Sequence, residues 1–269
     1  MPRYKLIAVD LDDTLLDDEL RVSPRTRVAL KKAAEKGMIV TIATGRMYRS
    51  ALPMALDLNI GGPIITYQGA LVKNSCSGEV LVDRPVPLDL ARIVLAEGYK
   101  AGVHMNVYLN DTLLIDSITP EGAGYAKLAQ VEMVPVGSLL EFLKNDPTKV
   151  LYIADPSLLD RLKGELQKKF AQSLYITKSK PNYLEFMHPQ ATKGRALKAL
   201  VERCGIARDE TMAFGDSYND LDMIEFAGMG VAMGNAPEDV KKKADYVTST
   251  NNDDGVAEVI EKYVLLTPA

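Results

Sequence analysis

Apolar positions along this chain fall into short unbroken runs separated by stretches with helical spacing. The first run, Lys5-Leu6-Ile7-Ala8-Val9, is apolar throughout after its lysine. It reads as a strand covered on both faces, the condition of strands in a parallel sheet. Ser23-Pro24 then opens a helix as N-cap and first helical residue, and Gly37 closes it. Met38 to Ala43 is a second strand. A helix carrying Pro53 leads through Gly61-Gly62-Pro63 to a third strand, Ile64 to Tyr67. This alternation predicts a parallel sheet wound with right-handed crossovers. Leu71 to Val82 reads as a hairpin turning near Ser75 to Gly78.

The pattern changes around Asp83-Arg84-Pro85. From Pro87 to about Pro189 it predicts a helix, a strand at Val103 to Leu109, an Asn110-Asp111 turn and a strand at Thr112 to Asp116. Further helical stretches follow, then a strand at Lys149 to Ala154, a helix at Pro156 to Phe170, and strands at Leu174 to Thr177 and Tyr183 to Met187. Strands joined by tight turns, with helices between groups, predict an antiparallel α+β module. The parallel pattern then resumes: a helix from Thr192-Lys193-Gly194 to about Cys204, a strand at Thr211 to Phe214, a helix, a strand at Gly230 to Met233, a helix at Pro237 to Lys243, a short strand at Tyr246-Val247 and a last helix. The predicted fold is α/β: a doubly wound, Rossmann-like parallel-sheet core formed by residues 1–83 and 189–269, interrupted by an α+β domain at residues 84–188.

Composition narrows the function. A chain of 269 residues with 47% apolar content can build one large core or two moderate ones, and its net charge of -4 gives no reason to expect nucleic acid or an anionic membrane as partner. No run approaches the length of a membrane span and no signal-peptide pattern precedes the first strand, so a cytoplasmic protein is expected. Cys76 and Cys204 have no metal or redox spacing, and His104 and His188 are isolated. A zinc site is therefore not indicated, and with no Gly-x-Gly-x-x-Gly after a strand neither is a dinucleotide enzyme.

The chemistry gathers at strand ends, where open α/β sheets place their sites. Asp10, Asp12 and Asp13 follow the first strand directly. Like charges about 4 Å apart repel by roughly 4 kcal/mol at an effective dielectric near 20, so a compensating cation with oxygen ligands is expected. Asp10 and Asp12, two apart in an extended chain, are expected to face one side. One can act as nucleophile and the other, its pKa raised by acidic neighbours, as proton donor and acceptor. Thr44-Gly45-Arg46 offers a hydroxyl and open backbone N–H groups to phosphate oxygens, with Arg46 a candidate for substrate contact or for a salt bridge. Lys193 is a point charge suited to a phosphoryl group. Gly215-Asp216-Ser217-Tyr218-Asn219-Asp220 supplies a second acidic cluster, with Asp216 and Asp220 one helical turn apart. Two such clusters suit magnesium, with water and phosphate completing its octahedron.

Asp10-Leu11-Asp12-Asp13-Thr14, Thr44-Gly45-Arg46, Lys193-Gly194 and the 215–220 segment match, in order, the four motifs of the haloacid dehalogenase superfamily. The chain resembles its Cof-type phosphatases (subfamily IIB), which carry a large α/β cap after the third core strand. The resemblance implies Asp10 as nucleophile and Asp12 as general acid/base. It implies magnesium on the Asp10 carboxylate, the Asp12 backbone carbonyl and Asp216, with Asp220 direct or through water. Thr44, Gly45, Arg46, Lys193 and Asn219 would hold the phosphate. A magnesium-dependent phosphatase of small phosphorylated metabolites is expected, sugar phosphates first, as a monomer or weak homodimer whose cap closes over the site. Cap residues from Asn182 to His188 are candidates for substrate selection. A phosphotransferase or phosphomutase on the same scaffold, and more distantly a non-enzymatic phosphoryl receiver, are the alternatives. Two departures stand out: Asp13 where many relatives have glycine, and Gln68-Gly69-Ala70 where many have Asn-Gly-Ala.

Overall fold

The computed structural model describes residues 3–266, so the outermost residues of the predicted first domain, 1–2 and 267–269, lie outside the described residues. The chain divides into two compact units, one formed by residues up to Val82 and from Thr192 onward, the other by Asp83–Ala191.

The first unit begins with β1 (Leu6–Asp10), α1 (Pro24–Glu35), β2 (Ile39–Ala43), α2 (Tyr48–Asp57), β3 (Pro63–Thr66), β4 (Leu71–Asn74) and β5 (Val80–Asp83). Ser23 caps α1 by accepting a hydrogen bond from the Thr26 amide at 3.0 Å, and Gly37, at φ 85°, turns the chain out of the helix in the left-handed conformation that glycine tolerates.

The second unit holds α3 (Leu88–Ala101), β6 (His104–Leu109), β7 (Thr112–Ile115), α4 (Pro120–Ala129), β8 (Met133–Pro135), α5 (Leu139–Phe142), β9 (Lys149–Ile153), α6 (Pro156–Phe170), β10 (Tyr175–Lys180) and β11 (Tyr183–Met187). The first unit is then completed by α7 (Lys193–Arg203), β12 (Thr211–Gly215), α8 (Leu221–Phe226), β13 (Met229–Ala232), α9 (Glu238–Lys241), β14 (Tyr246–Val247) and α10 (Gly255–Ile260).

The eight strands of the first unit run in the order β14-β13-β12-β1-β2-β3-β4-β5. β1 lies between β2 and β12, parallel to both: Leu6 pairs with Ile39 on one side and Thr211 on the other. Residues Leu6 to Val9 are at most 1% exposed, which accounts for their continuous apolar character. β4 turns back antiparallel to β3, so this sheet ends in an antiparallel margin rather than a further crossover. Ala196, Leu197, Leu200 and Val201 of α7 pack against Leu6, Ala8, Ala43, Ile65 and Ala213. That packing brings the start of α7 to the carboxyl ends of β1, β2 and β12.

The second unit has a six-stranded sheet in the order β10-β11-β9-β6-β7-β8. Side-chain alternation divides its faces. Met105, Val107, Val150, Tyr152, Leu184 and Phe186 form one core with Val94 and Leu95 of α3 and Leu159 and Leu162 of α6. Asn106, Lys149 and Glu185 occupy alternate positions and are buried, with Lys149 Nζ 3.3 Å from Glu185 Oε1. The antiparallel reading holds except at one margin, where β8 pairs parallel with β7. β8 itself falls in a stretch whose sequence reads as helical. Three residues ending in a proline carry no strand signal, and the pairing with Leu113 to Ile115 is what extends them.

Candidate active site

β1 delivers Asp10 to the edge of the sheet, and the next five residues, Leu11–Leu15, coil into a tight turn. Within it Asp12 stays extended (φ -79°, ψ 133°) and Asp13 adopts φ 58°. Aspartate tolerates this left-handed region better than most residues, which explains why it can stand where glycine would otherwise be needed. Two distant groups hold the turn: Asn235 Nδ2 donates to the Asp13 carbonyl at 2.8 Å, and Thr14 Oγ1 donates to Asp216 Oδ1 at 3.0 Å.

At the end of β12, a side chain on Gly215 would place its Cβ 2.4 Å from that of Asp220, so only glycine lets Asp220 fold back over the strand end. Asp220 Oδ2 accepts the backbone N–H groups of Asp216 and Ser217, both at 3.1 Å. Its Oδ1 meets Lys193 Nζ at 2.6 Å. Lys193 opens α7 behind the N-cap Thr192, and its ammonium also donates to Asp10 Oδ1. Asp10, Asp220 and Lys193 are 5%, 0% and 1% exposed, respectively, so one buried cation bridges two buried carboxylates.

Asp216 completes the group: one oxygen from each of Asp10, Asp216 and Asp220 lies within 4.8 Å of the others. Pairs of ionised carboxylates at that spacing repel by roughly 3–4 kcal/mol at an effective dielectric near 20. Lys193 offsets only part of this. Burial, reinforced by Asp220, pushes the Asp10 carboxyl well above the ordinary range despite the opposing ammonium. Burial and then Asp220 likewise push Asp216 up to about 6. Burial alone would favour neutral Lys193, but Asp10 and Asp220 outweigh it and raise its pKa. The ion pair is thus firm and the remaining carboxylate charge is unbalanced.

Asp12 takes a different partner from Asp10. Arg46 Nε donates to Asp12 Oδ2 at 3.0 Å and its Nη2 to Oδ1, a bidentate grip on a carboxylate that is 45% exposed. Of the two roles the sequence left open for Arg46, the structure thus shows the salt bridge. Thr44 is fully buried; its amide donates to the Ile65 carbonyl at 2.9 Å and its hydroxyl oxygen accepts the Arg46 amide at 3.1 Å. Asn219 Oδ1 accepts from the Ser217 hydroxyl, and its Nδ2 donates to Gln68 Oε1 at 3.1 Å. Gln68 follows β3 in a short run of positive φ: Tyr67 at 51°, Gln68 at 57° and Gly69 at 98°. Left-handed backbone at residues with side chains costs about 1–3 kcal/mol each and persists where its surroundings enforce it. Here the Tyr67 and Gln68 amides donate to the Arg46 and Thr44 carbonyls at 2.9 and 3.1 Å.

The catalytic, metal and phosphate candidates of the sequence thus stand at adjoining strand ends and one helix start of the first unit, whereas Asn182 to His188 lie in and beside β11 of the second unit. Thr14 closes the first motif, but Asn235, which also braces the group, had no sequence signal: it is a short polar residue whose partner, Asp13, lies 222 positions away.

The linkage of these carboxyl groups to folding gives a prediction. A carboxyl raised in the fold from an aspartate's ordinary 3.8 to about 6 stabilises the fold at low pH, and that contribution is lost as pH rises through about 6. Metal-free protein should therefore lose stability between about pH 4 and pH 6 from this site. A divalent ion needs the ionised carboxylates. Magnesium should raise the melting temperature markedly at pH 7.5 and little at pH 5; equal shifts at the two pH values would count against this electrostatic picture.

The sequence profile of haloacid dehalogenase-like hydrolases matches residues 7–260. A Bacillus subtilis (strain 168) protein named 5-amino-6-(5-phospho-D-ribitylamino)uracil phosphatase YcsE is 33% identical over 261 residues, covering 97% of this chain and 96% of its own. The crystal structure of a haloacid dehalogenase-like hydrolase from Bacteroides thetaiotaomicron is similar at a TM-score of 0.89 and 34% identity, covering 96% of this chain and 99% of its own. A sugar phosphatase of HAD subclass IIB superimposes with a TM-score of 0.85 at 26% identity, covering 97% of this chain and 100% of its own. The chain belongs to the haloacid dehalogenase-like hydrolase family. Within it the chain is a phosphatase of the Cof type, with the α/β core and additional α+β unit of that group. No helix among the described residues is long and apolar enough to cross a membrane.

Proposed function

We propose that this phosphatase hydrolyses small phosphomonoesters through an aspartyl phosphate on Asp10, with magnesium as its metal and phosphorylated sugars or polyols as its substrates. The observation that carries the reading is the buried cluster in which Lys193 bridges Asp10 and Asp220 while Asp216 lies within 4.8 Å.

Each group suits a step. Asp10 attacks phosphorus with a carboxylate oxygen, and the bond from phosphorus to the leaving oxygen breaks as the new one forms. Asp12 protonates that leaving oxygen, then takes a proton from the water that attacks the aspartyl phosphate, releasing phosphate and restoring Asp10. Arg46 grips both oxygens of Asp12, so for the two transfers one oxygen is released from the guanidinium to carry the proton while the other keeps Asp12 oriented. Lys193 balances charge beside the reacting phosphoryl group, and Thr44, Gly45 and Asn219 contribute donors to its oxygens.

The donor set fits a hard cation: three carboxylates supply only oxygen. Both oxygens of Asp220 already serve Lys193 and the 216–217 amides, so Asp10, Asp216 and the Asp12 carbonyl are the residues that would hold magnesium, with Asp220 behind them. Bound there, the ion would neutralise charge on the phosphoryl oxygens. Substrate choice is assigned to the second unit, with Asn182 to His188 as first candidates.

The substrates named for two relatives, a phosphorylated ribitylaminouracil and sugar phosphates, are phosphate esters of polyhydroxylated carbon chains, which makes that class the first choice here. A screen of phosphorylated metabolites with magnesium, ranked by kcat/KM, tests the proposal. Phosphate release should be greatest from sugar or polyol phosphates. No release from any of these, nor from p-nitrophenyl phosphate, would overturn it.

A further inference from the structure

Resting on that reading of the site, we infer that Gln68 is a phosphate-binding residue: its side-chain carbonyl is locked by Asn219 so that its Nε2 donates to the phosphoryl group held at Thr44-Gly45. Four observations converge on this.

The orientation of the amide follows from its neighbours. The Ser217 hydroxyl donates to Asn219 Oδ1, so Asn219 Nδ2 is the group left to donate, and Gln68 must present its oxygen, which it does at 3.1 Å. Nε2 is thereby turned the other way. A Cβ added to Gly45 would lie 2.5 Å from Gln68 Nε2 and 3.0 Å from its Cδ, so the amide rests against the bare backbone of Gly45. Among the described residues, Nε2 has no hydrogen-bond acceptor, although the residue is only 6% exposed. The buried side-chain atoms without a partner among the described residues are Asn106 Nδ2 and Glu185 Oε2, so Nε2 reaches solvent, where an incoming ligand oxygen can accept from it.

The surroundings identify the ligand's chemistry. Beside Nε2 stands the bare backbone of Gly45, next in sequence to Thr44, whose hydroxyl oxygen accepts the Arg46 amide. An amide donor set beside the Gly45 backbone suits an anion with several acceptor oxygens, as a phosphoryl group provides. The backbone is committed to this placement too. Gln68 sits at φ 57°, pinned by its amide to the Thr44 carbonyl, with Tyr67 beside it at φ 51°. Strain of this kind persists where its surroundings fix a side chain in place. The extra methylene relative to asparagine lets this one amide reach Asn219 and Gly45 together.

The probe is inorganic phosphate, the reaction product. Its inhibition constant is measured against p-nitrophenyl phosphate turnover with magnesium, beside the dissociation constant for magnesium alone and the melting temperature. A hydrogen bond to a charged acceptor is worth roughly one to two orders of magnitude in affinity. Gln68→Met, which keeps length and removes both polar atoms, should weaken phosphate inhibition about tenfold or more and raise KM in parallel, with magnesium affinity and melting temperature unchanged. Gln68→Glu keeps an oxygen for Asn219 and so preserves the fold should the methionine variant fail. It should weaken phosphate further, because a carboxylate replaces the donor. Unchanged phosphate inhibition in these variants overturns the assignment. So does a parallel loss of magnesium affinity or thermal stability in both, which would make Gln68 a scaffold residue. Wild type that neither turns over the ester nor is inhibited by phosphate would instead overturn the proposed function itself.

Discussion

Asp10→Asn is expected to abolish phosphate release from p-nitrophenyl phosphate and from every metabolite the wild type hydrolyses. The substitution keeps the shape of the side chain but removes the anionic oxygen that attacks phosphorus. Spontaneous hydrolysis of phosphate monoesters is so slow that enzymes accelerate it by up to about 10²¹-fold. The residual contribution of binding groups alone should therefore fall below detection, a loss of at least about 10⁴-fold in kcat. The fold should not suffer. Asp10 is one of three neighbouring carboxylates sharing a single ammonium, and Lys193 keeps Asp220 at 2.6 Å when Asp10 is neutral. A melting temperature equal to or above wild type at pH 7.5, without magnesium, is the accompanying result. Turnover near the wild-type rate would remove Asp10 as nucleophile.

Lys193→Met should be the most damaging single change to the fold of the first unit. Methionine fills a similar volume without charge, leaving Asp10 and Asp220 buried with no cation between them. Removing one partner of a buried ion pair costs about 3–5 kcal/mol, far more than the pair's net contribution when intact. For a unit of this size that corresponds to a fall of roughly 10 °C in melting temperature at pH 7.5. The sign of the remedy is specific: the loss should shrink at lower pH, as Asp10, its carboxyl pushed well above the ordinary range by burial, takes up a proton, and shrink at pH 7.5 when magnesium is added. Activity should fall with stability at saturating magnesium, because the ammonium that balances the phosphoryl charge is gone. A melting temperature unchanged at pH 7.5 would mean that Asp10 and Asp220 do not depend on Lys193.

Much of this architecture was legible in the chain because its signals are local. The run Leu6 to Val9 is apolar at every position because both faces of β1 are covered, and Pro156–Phe170 carries its own N-cap, Asp155, which accepts the Ser157 amide at 2.9 Å. The acidic and glycine-containing segments at strand ends were equally visible, since parallel-sheet geometry brings such ends together whatever lies between them. What escaped was decided by partners distant in sequence. β8 is a strand only because β7 pairs with it. Asp12, expected to face the same side as Asp10 and to answer to its acidic neighbours, is gripped by Arg46, 34 residues away. The reach of Gln68 to both Asn219 and Gly45 depends on two successive left-handed residues, a backbone that nothing in Tyr67-Gln68 announces.

The central claim is that a covalent bond forms between Asp10 and the substrate's phosphorus. Acid-quenching the enzyme during turnover, reducing with borohydride and sequencing peptides by mass spectrometry reads that bond directly, because only an acyl phosphate is converted to the alcohol. The account predicts homoserine in place of Asp10, present with substrate and absent without it. Reduction at another carboxylate, or none under conditions of rapid turnover, would contradict it.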